Sequence, residues 1–264
     1  LTLVALYDEI ASHNTQWFSA CFGARPGVLA DVGEPLKSQY LQPMLNGDKR
    51  GGFGFTESSA APHYTRAERN GDELVVNGHK SYVTRGDELD FINVLADIGD
   101  EGRAFVVIDT DAPGVSKDRT FETLDGSLHA AFRFENVRIP AAQMVGKPGI
   151  GMSHAMRQIG NTRLIMAAEA VGLARWTLEF LAEKLRANEP RHGPKESIRL
   201  RYGELRIQAY VARSAVYRAA RRADSGENAV NEGIAAKAFA TEALARIVDE
   251  GIQLSGGGAL MTDH

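Results

Sequence analysis

The sequence has little of several features that mark particular classes of protein. Its 264 residues include a single cysteine, Cys21, so an internal disulfide is excluded and a reducing compartment is expected. A formal net charge of -4, with 24% charged residues, gives no support to a nucleic-acid partner. No apolar run approaches the roughly 20 residues that cross a bilayer. The amino end lacks the basic start and cleavage-like site of a signal peptide, so we expect a cytoplasmic protein.

Metal-binding patterns are also lacking. The seven histidines are scattered without ligand spacing, so no metal site is expected. Cys21 lies between Trp17-Phe18 and Phe22, which favours a buried apolar thiol over a catalytic one.

What is present divides the chain into three stretches. Helical spacing dominates residues 1–49, a period near two dominates 50–146, and long amphipathic helices rich in alanine fill 147–264. Strands do not alternate with helices in the middle stretch, which disfavours a parallel Rossmann-type sheet. We predict an α+β protein with a helical N-terminal part, an antiparallel β domain and an up-down helical bundle that is incomplete with three helices.

Local signals give more detailed predictions. Asn77-Gly78 predicts a tight hairpin between Leu74-Val75-Val76 and Tyr82-Val83-Thr84, because that dipeptide tolerates positive φ. Pro43 predicts the end of an early helix, and residues 188–194, which include Pro190 and Pro194, predict a loop between helices.

Several motifs together resemble those of the acyl-CoA dehydrogenase family, in its order and approximate spacing. They are Phe55-Thr56-Glu57, residues 77–84, Asn136-Val137-Arg138-Ile139-Pro140, Gly149-Ile150-Gly151-Met152, Arg163 with residues 167–172, and Gln253-Leu254-Ser255-Gly256-Gly257. The resemblance implies a β-barrel-like middle domain and a flavoprotein that uses FAD to oxidise an acyl-CoA thioester to the trans-2-enoyl product. It also implies fatty-acid or related acyl-CoA catabolism, with an electron-transfer flavoprotein or similar acceptor.

The resemblance assigns flavin contacts to the middle stretch. Phe53, Phe55 and Thr56 match the segment along one side of the isoalloxazine ring. Tyr82, Val83 and Thr84 match the segment whose aromatic residue covers the ring and whose threonine hydrogen-bonds near N5. The loop from Ser58 to Tyr64 lacks the family's Gly-Ser-Asp run, so Ser58 and Ser59 are candidate substitutes; a solvated polar loop is the alternative. Taken without the resemblance, the residues of these stretches favour ordinary half-buried strands, since β-branched and aromatic side chains fit sheets.

Further contacts are implied in the last stretch. Gln253, Gly256 and Gly257 match residues that reach the FAD of a neighbouring subunit, which implies a homotetramer or a hetero-oligomer. Arg191 is the candidate for the family's pyrophosphate-binding arginine, and Arg163 matches one beside the CoA channel. An arginine that only pairs with a carboxylate is the alternative for Arg163.

The catalytic base is not identified. Removal of an acyl α-proton requires a desolvated carboxylate. One family position for that glutamate carries Thr162 here, and the other is expected beyond His264. Two other interpretations therefore stay open: a non-catalytic partner subunit of a hetero-oligomer, and an acyl-CoA oxidase or flavin monooxygenase on the same fold.

Overall fold

The computed structural model describes residues 1–15, 22–59, 61, 63–124, 126–192 and 195–261, with the side chains of 188–192 outside that description. The prediction for Cys21 therefore concerns a residue outside the described part. The chain forms two compact units, one of Cys21–Gln158 and one of Leu1–Ala20 with Ile159–His264. None of the described helices combines the length and apolar character needed to cross a membrane.

The first unit is built on a sheet of eight strands in its described part. Seven are ordered β6-β7-β3-β2-β4-β5-β8, and β1 pairs with β4 in parallel. Neighbours along the path are antiparallel, apart from one parallel bridge between β2 and β4. The strands are β1 (Gly51–Gly54), β2 (Arg66–Asn70), β3 (Glu73–Thr84), β4 (Phe91–Asp97), β5 (Arg103–Asp109), β6 (Val115–Glu122), β7 (Leu128–Pro140) and β8 (Met144–Val145). The predicted antiparallel β region is confirmed.

The central strands β4 and β5 are apolar at consecutive positions because both of their faces are covered. Ile92 and Val94 belong to one apolar cluster within the sheet. Phe91 and Leu95 belong to a second cluster, formed with the segment that precedes β1 and centred on residues such as Leu29. Burial on both faces removes the alternation expected of a half-exposed strand. These strands consequently form a rigid base for the segments that lie beside them.

The predicted hairpin at Asn77-Gly78 is wrong. Strand β3 runs through both residues, and its register against β7 shifts between Val76 and Gly78. Gly78 has φ of 150°, and a Cβ there would lie 2.5 Å from the Cα of Thr65. The glycine therefore permits a close approach inside a bulged strand rather than a reversal of the chain.

Helices of the N-terminal stretch are α1 (Thr2–Ala11) and α2 (Gln42–Asn46), with a π-helical turn over Lys37–Leu41. The prediction that Pro43 ends a helix is wrong, because Pro43 lies in the first turn of α2. Proline is tolerated there, since the first-turn amide has no intrahelical acceptor. The helix ends at Gly47, whose φ is 87°.

The second unit contains most of the long helix α3 (Gly151–His192) and the whole of α4 (Glu196–Asp224) and α5 (Val230–Ser255). The first eight residues of α3 belong to the first unit. A shared apolar cluster holds the three helices together, including Leu178, Leu205 and Ile247. The prediction of a loop over 188–194 is wrong for residues 188–192, because α3 continues to His192. Residues 193 and 194 lie outside the described part. A single proline removes one backbone donor, and near a helix end this does not reverse the chain.

A buried carboxylate joins α1 to α3 and α4. Asp8, whose side chain is 1% exposed, accepts hydrogen bonds from Arg175 at 3.1 Å, Arg213 at 2.7 Å and Tyr217 at 2.7 Å. Helix α1 approaches α3 closely at Gly172, where a Cβ would lie 2.3 Å from the carbonyl oxygen of Asp8. Burial and the bond to Asp8 raise the pKa of the Tyr217 hydroxyl. Two cations and a phenol thus compensate the buried charge.

Candidate functional site

Three of the predicted flavin contacts lie on neighbouring segments of the first unit. The carbonyl oxygen of Thr56 accepts a hydrogen bond from the backbone amide of Ser81 at 2.8 Å, which places the segment after β1 beside β3. Thr56, Tyr82 and Thr84 are all exposed, whereas Val83 between the last two is fully buried. Tyr82 and Thr84 are thus both presented to the exterior, with Val83 turned into the core between them.

Tyr82 has an unusual backbone conformation. Its φ is 56°, and it falls where the register of β3 against β7 shifts between Lys80 and Val83. The residue is 55% exposed, and its ring meets Phe121 edge to face, with centroids 5.5 Å apart. A positive φ in a bulky non-glycine residue is strained and concentrates at functional positions. The bulge presents a large aromatic side chain that a regular strand would aim elsewhere.

A histidine completes this surface. His129 is opposite Thr84 in the register of β7 against β3, and its Nε2 lies 3.1 Å from Thr84 Oγ1. The His129 ring stacks on Phe121 with centroids 5.9 Å apart and an interplanar angle of 26°. His129 also lines an open cleft of about 810 Å³, together with Glu122, Thr123, Leu124 and Ser127. Sequence reasoning missed His129, since its partner is 45 residues away in the chain.

Phe53 and Phe55 are half-buried rather than exposed to solvent. Their rings are parallel, with centroids 5.8 Å apart, and Phe53 also stacks on the buried Phe105. Both pack against the apolar cluster that covers one face of β4 and β5. Their packing fixes the segment that ends in Thr56, and Val83 supports the neighbouring strand from the core. Ser59 is exposed in the loop beyond.

A buried ion pair, also missed from the sequence, lies directly behind Thr56. Lys80 Nζ is 2.5 Å from Glu57 Oε1, and the two side chains are 1% and 13% exposed. The same Glu57 oxygen accepts the backbone amide of Thr65 at 3.0 Å. Burial acts to raise the pKa of Glu57, but the hydrogen bond and charge of Lys80 outweigh it and hold that pKa below its usual range. Burial lowers the pKa of Lys80.

The pair anchors β3 to the segment after β1. Lys80 Nζ also donates a hydrogen bond of 3.4 Å to the carbonyl oxygen of Phe55, the residue before Thr56. A cavity of about 250 Å³ opens beside the pair, and Tyr64 and Arg103 line it with the Arg103 guanidinium 5.0 Å from the Tyr64 ring centroid. Because the ion pair flanks Thr56 in sequence, it holds the backbone of that residue against Ser81.

The remaining predicted residues belong to the second unit. Gln253, Gly256 and Gly257 are exposed at the end of α5, and Gly256 has φ of 69°, which confirms the predicted glycine end of this helix. Thr162 is exposed and Arg163 half-buried in α3. Arg191 is helical, and its side chain lies outside the described part. The flavin and CoA roles of these residues stay predictions.

Glu250, a carboxylate of α5, forms an ion pair with Arg201 of α4. Its charge is therefore compensated within the helical unit. We assign neither Glu250 nor another carboxylate of the described residues as a catalytic base.

Comparison with known families matches both units. Residues 52–137 match the acyl-CoA dehydrogenase middle domain, and residues 149–264 match the acyl-CoA dehydrogenase C-terminal domain. The chain belongs to the acyl-CoA dehydrogenase family, whose members depend on FAD. The α+β fold expected from the motifs is thereby confirmed.

Individual relatives show the extent of the similarity. YngJ of Bacillus subtilis strain 168, named a probable acyl-CoA dehydrogenase, is 29% identical over 246 residues, covering 88% of this chain and 64% of that protein. A 3-(aryl)acrylate reductase of Clostridium sporogenes is 28% identical over 242 residues, covering 86% and 64%. The structure of butyryl-CoA dehydrogenase from Megasphaera elsdenii superposes with a TM-score of 0.75 at 26% identity, covering 88% and 64%. The chain thus spans about 64% of the length of these relatives.

Proposed function

We propose that this chain belongs to an FAD-dependent enzyme that oxidises an acyl-CoA thioester to its trans-2-enoyl product. The observation that carries the proposal is the placement of Thr56, Tyr82 and Thr84 on adjoining exposed segments. An aromatic face flanked by two hydroxyls suits a flat heterocycle with hydrogen-bonding edges. Family membership supplies the cofactor and the reaction class.

The residues present fit a flavin on physical grounds. The cleft lined by His129 is open and large enough for part of a cofactor, and the exposed Tyr82 and Thr84 supply an aromatic face and a hydroxyl beside His129. In this assignment Tyr82 covers the ring, and Thr56 and Thr84 hydrogen-bond its edge. When bound, FAD supplies the acceptor for the hydride that leaves the acyl β-carbon. The two hydroxyls orient the ring and tune its redox balance.

Residues of the helical unit complete the proposal. Arg163 is assigned to the CoA channel, and Gln253, Gly256, Gly257 and Arg191 to the FAD of a neighbouring subunit. Support for an assembly comes from exposed apolar side chains on α4 and α5, which suit contact with further helices or another subunit. They include Ile207, Tyr210, Val211, Ile234 and Phe239.

Flavin binding is tested by reconstitution. We expect the purified chain to retain FAD absorbance after incubation with FAD and gel filtration. Thr84→Val should weaken FAD binding about fivefold, as for the loss of one neutral hydrogen bond. Thr120→Val is the matched control, because Thr120 is an exposed threonine on β6 whose side chain alternates with Phe121. Wild-type protein without flavin absorbance would refute the proposal.

The direction and acceptor of the reaction need a separate assay. Full-length enzyme should reduce an artificial acceptor with one member of a panel of short, long, branched and steroid-side-chain acyl-CoA thioesters. Similarity to a relative named 3-(aryl)acrylate reductase makes reduction of an α,β-unsaturated acid derivative the second candidate. Flavin binding without turnover in either direction would favour a non-catalytic partner subunit, and rapid oxidation of the reduced flavin by oxygen would favour an oxidase. Electron-transfer flavoprotein is the proposed physiological acceptor.

A further inference from the structure

We propose that His129 is a positioning residue that sets the direction of the Thr84 hydroxyl toward the flavin. The inference rests on the proposed function, because it assigns a task to a residue behind a proposed flavin contact. Its basis is the 3.1 Å contact between His129 Nε2 and Thr84 Oγ1.

The hydroxyl of Thr84 has one proton and can donate it in one direction at a time. If His129 carries its proton on Nε2, that N–H donates to Thr84 Oγ1 and the hydroxyl proton turns away, toward an external acceptor. If Nε2 is bare, Thr84 donates to the imidazole and can only accept from a ligand. The tautomer of His129 therefore decides whether Thr84 is a donor or an acceptor at the site.

The burial of Nδ1 selects between the two tautomers. Nδ1 of His129 is buried and has no hydrogen-bond partner among the described residues. An N–H without an acceptor is less well tolerated in a protein interior than an unused lone pair. The proton consequently resides on Nε2 and points at Thr84, so that Thr84 donates outward. The N5 atom of an oxidised flavin is an acceptor and suits that donor.

Aromatic packing holds the imidazole in place. Phe121 is opposite His129 in the register of β6 against β7, and the two rings stack. Phe121 also forms an edge-to-face pair with Tyr82, and the guanidinium of Arg119 lies 4.9 Å from the Phe121 ring centroid. The ring that orients Thr84 and the ring proposed to cover the flavin therefore share one support. A shift of either would be transmitted through Phe121.

The tautomer is tested directly by nuclear magnetic resonance. In protein labelled with ¹⁵N at histidine, without FAD, the His129 signals are assigned by their loss in His129→Phe. We expect the chemical shifts of a neutral imidazole protonated at Nε2, and a change at Nε2 in Thr84→Val. A proton on Nδ1 would overturn the inference whether or not the protein binds FAD.

Flavin binding tests the consequence. His129→Phe keeps a ring against Phe121 but removes both nitrogens, and it should weaken binding of oxidised FAD about fivefold. His129→Gln places an amide donor near the position of Nε2 and should restore affinity to within about twofold of wild type. Adding His129→Phe to Thr84→Val should have no further effect, because His129 acts through Thr84.

The outcomes separate the two proposals. If Thr84→Val weakens binding and His129→Phe does not, or if the two substitutions are additive, the role of His129 is refuted while flavin binding stands. Failure of wild-type protein to bind FAD would refute both.

Discussion

The ion pair between Lys80 and Glu57 offers a sharp test of how the flavin segment is held. Lys80→Met keeps an unbranched apolar chain of similar length in the buried position but removes the cation. Glu57 is then left with the Thr65 amide as its described hydrogen-bond donor, at 3.0 Å. The unpaired carboxylate is 13% exposed, so water compensates little of the lost charge. We expect Lys80→Met to destabilise the sheet unit strongly.

The magnitude follows from the burial of the pair. Removal of one partner of a buried ion pair costs about 3–5 kcal/mol. The residual exposure of Glu57 and its retained amide donor place the loss near the lower bound, at about 3 kcal/mol. The double variant Lys80→Met with Glu57→Gln has no stranded charge, and its glutamine oxygen still accepts the Thr65 amide. Its loss should fall to about 1 kcal/mol, because neutral replacement of a buried pair is often nearly neutral in stability.

Urea unfolding measured at several pH values is the assay. The pKa of Glu57 in the folded wild type lies below the ordinary 4.5, so the stabilisation from its charge is full above pH 4.5 and is lost as the pH falls through the folded value. Without Lys80, burial, the largest influence on this pKa, is opposed only by the hydrogen bonds from Thr65, so the pKa of Glu57 rises. The difference in unfolding free energy between wild type and Lys80→Met should therefore be largest at pH 7 and shrink on acidification.

A control variant and two outcomes test whether the charge of Lys80 accounts for the loss of stability. Lys117→Met removes an exposed lysine from β6 and should change stability by less than about 0.5 kcal/mol. A loss of under 1 kcal/mol in Lys80→Met, or a loss that is the same at pH 7 and pH 4, would refute the electrostatic reasoning.

Two further predictions concern the framework of each unit. Gly78→Ala should lower the free energy of unfolding in urea by more than about 2 kcal/mol, because the added methyl would lie 2.5 Å from the Cα of Thr65 and the φ of 150° disfavours alanine. Gly71→Ala is the control, since Gly71 also has positive φ but an added Cβ would meet nothing within 4 Å. Equal losses in the two variants would contradict the predicted clash with Thr65. Asp8→Asn should cost about 2 kcal/mol, less than a fully buried pair because Arg175 and Arg213 are 30% and 46% exposed. Unchanged unfolding of Asp8→Asn would show that its two arginines are fully compensated by solvent.

The order of elements was predictable from local pattern and from the motifs. The period near two over residues 50–146 predicted the strands of the sheet, and the amphipathic pattern over 147–264 predicted the long helices that share a core. These features depend on residues close in sequence, so periodicity reveals them. The match of two family models then confirmed the family that the motifs suggested.

Local signals failed where a distant segment decided the outcome. Asn77-Gly78 has the composition of a tight turn, but the approach of Thr65 uses the glycine within a continuous strand. Pro43 failed as a stop signal for a local reason, because it sits inside the first turn of α2, directly after a π-helical turn. Both residues are compatible with more than one conformation, so residue type alone does not select among them.

The sequence alone determined the family, the division into helical and β regions, and which hydroxyl and aromatic side chains to consider for a flavin. Only the tertiary structure decided which residues contact and position those side chains. Lys80 meets Glu57 across 23 residues, and His129 meets Thr84 across 45. Such pairs follow from strand register, which the packing of whole strands sets.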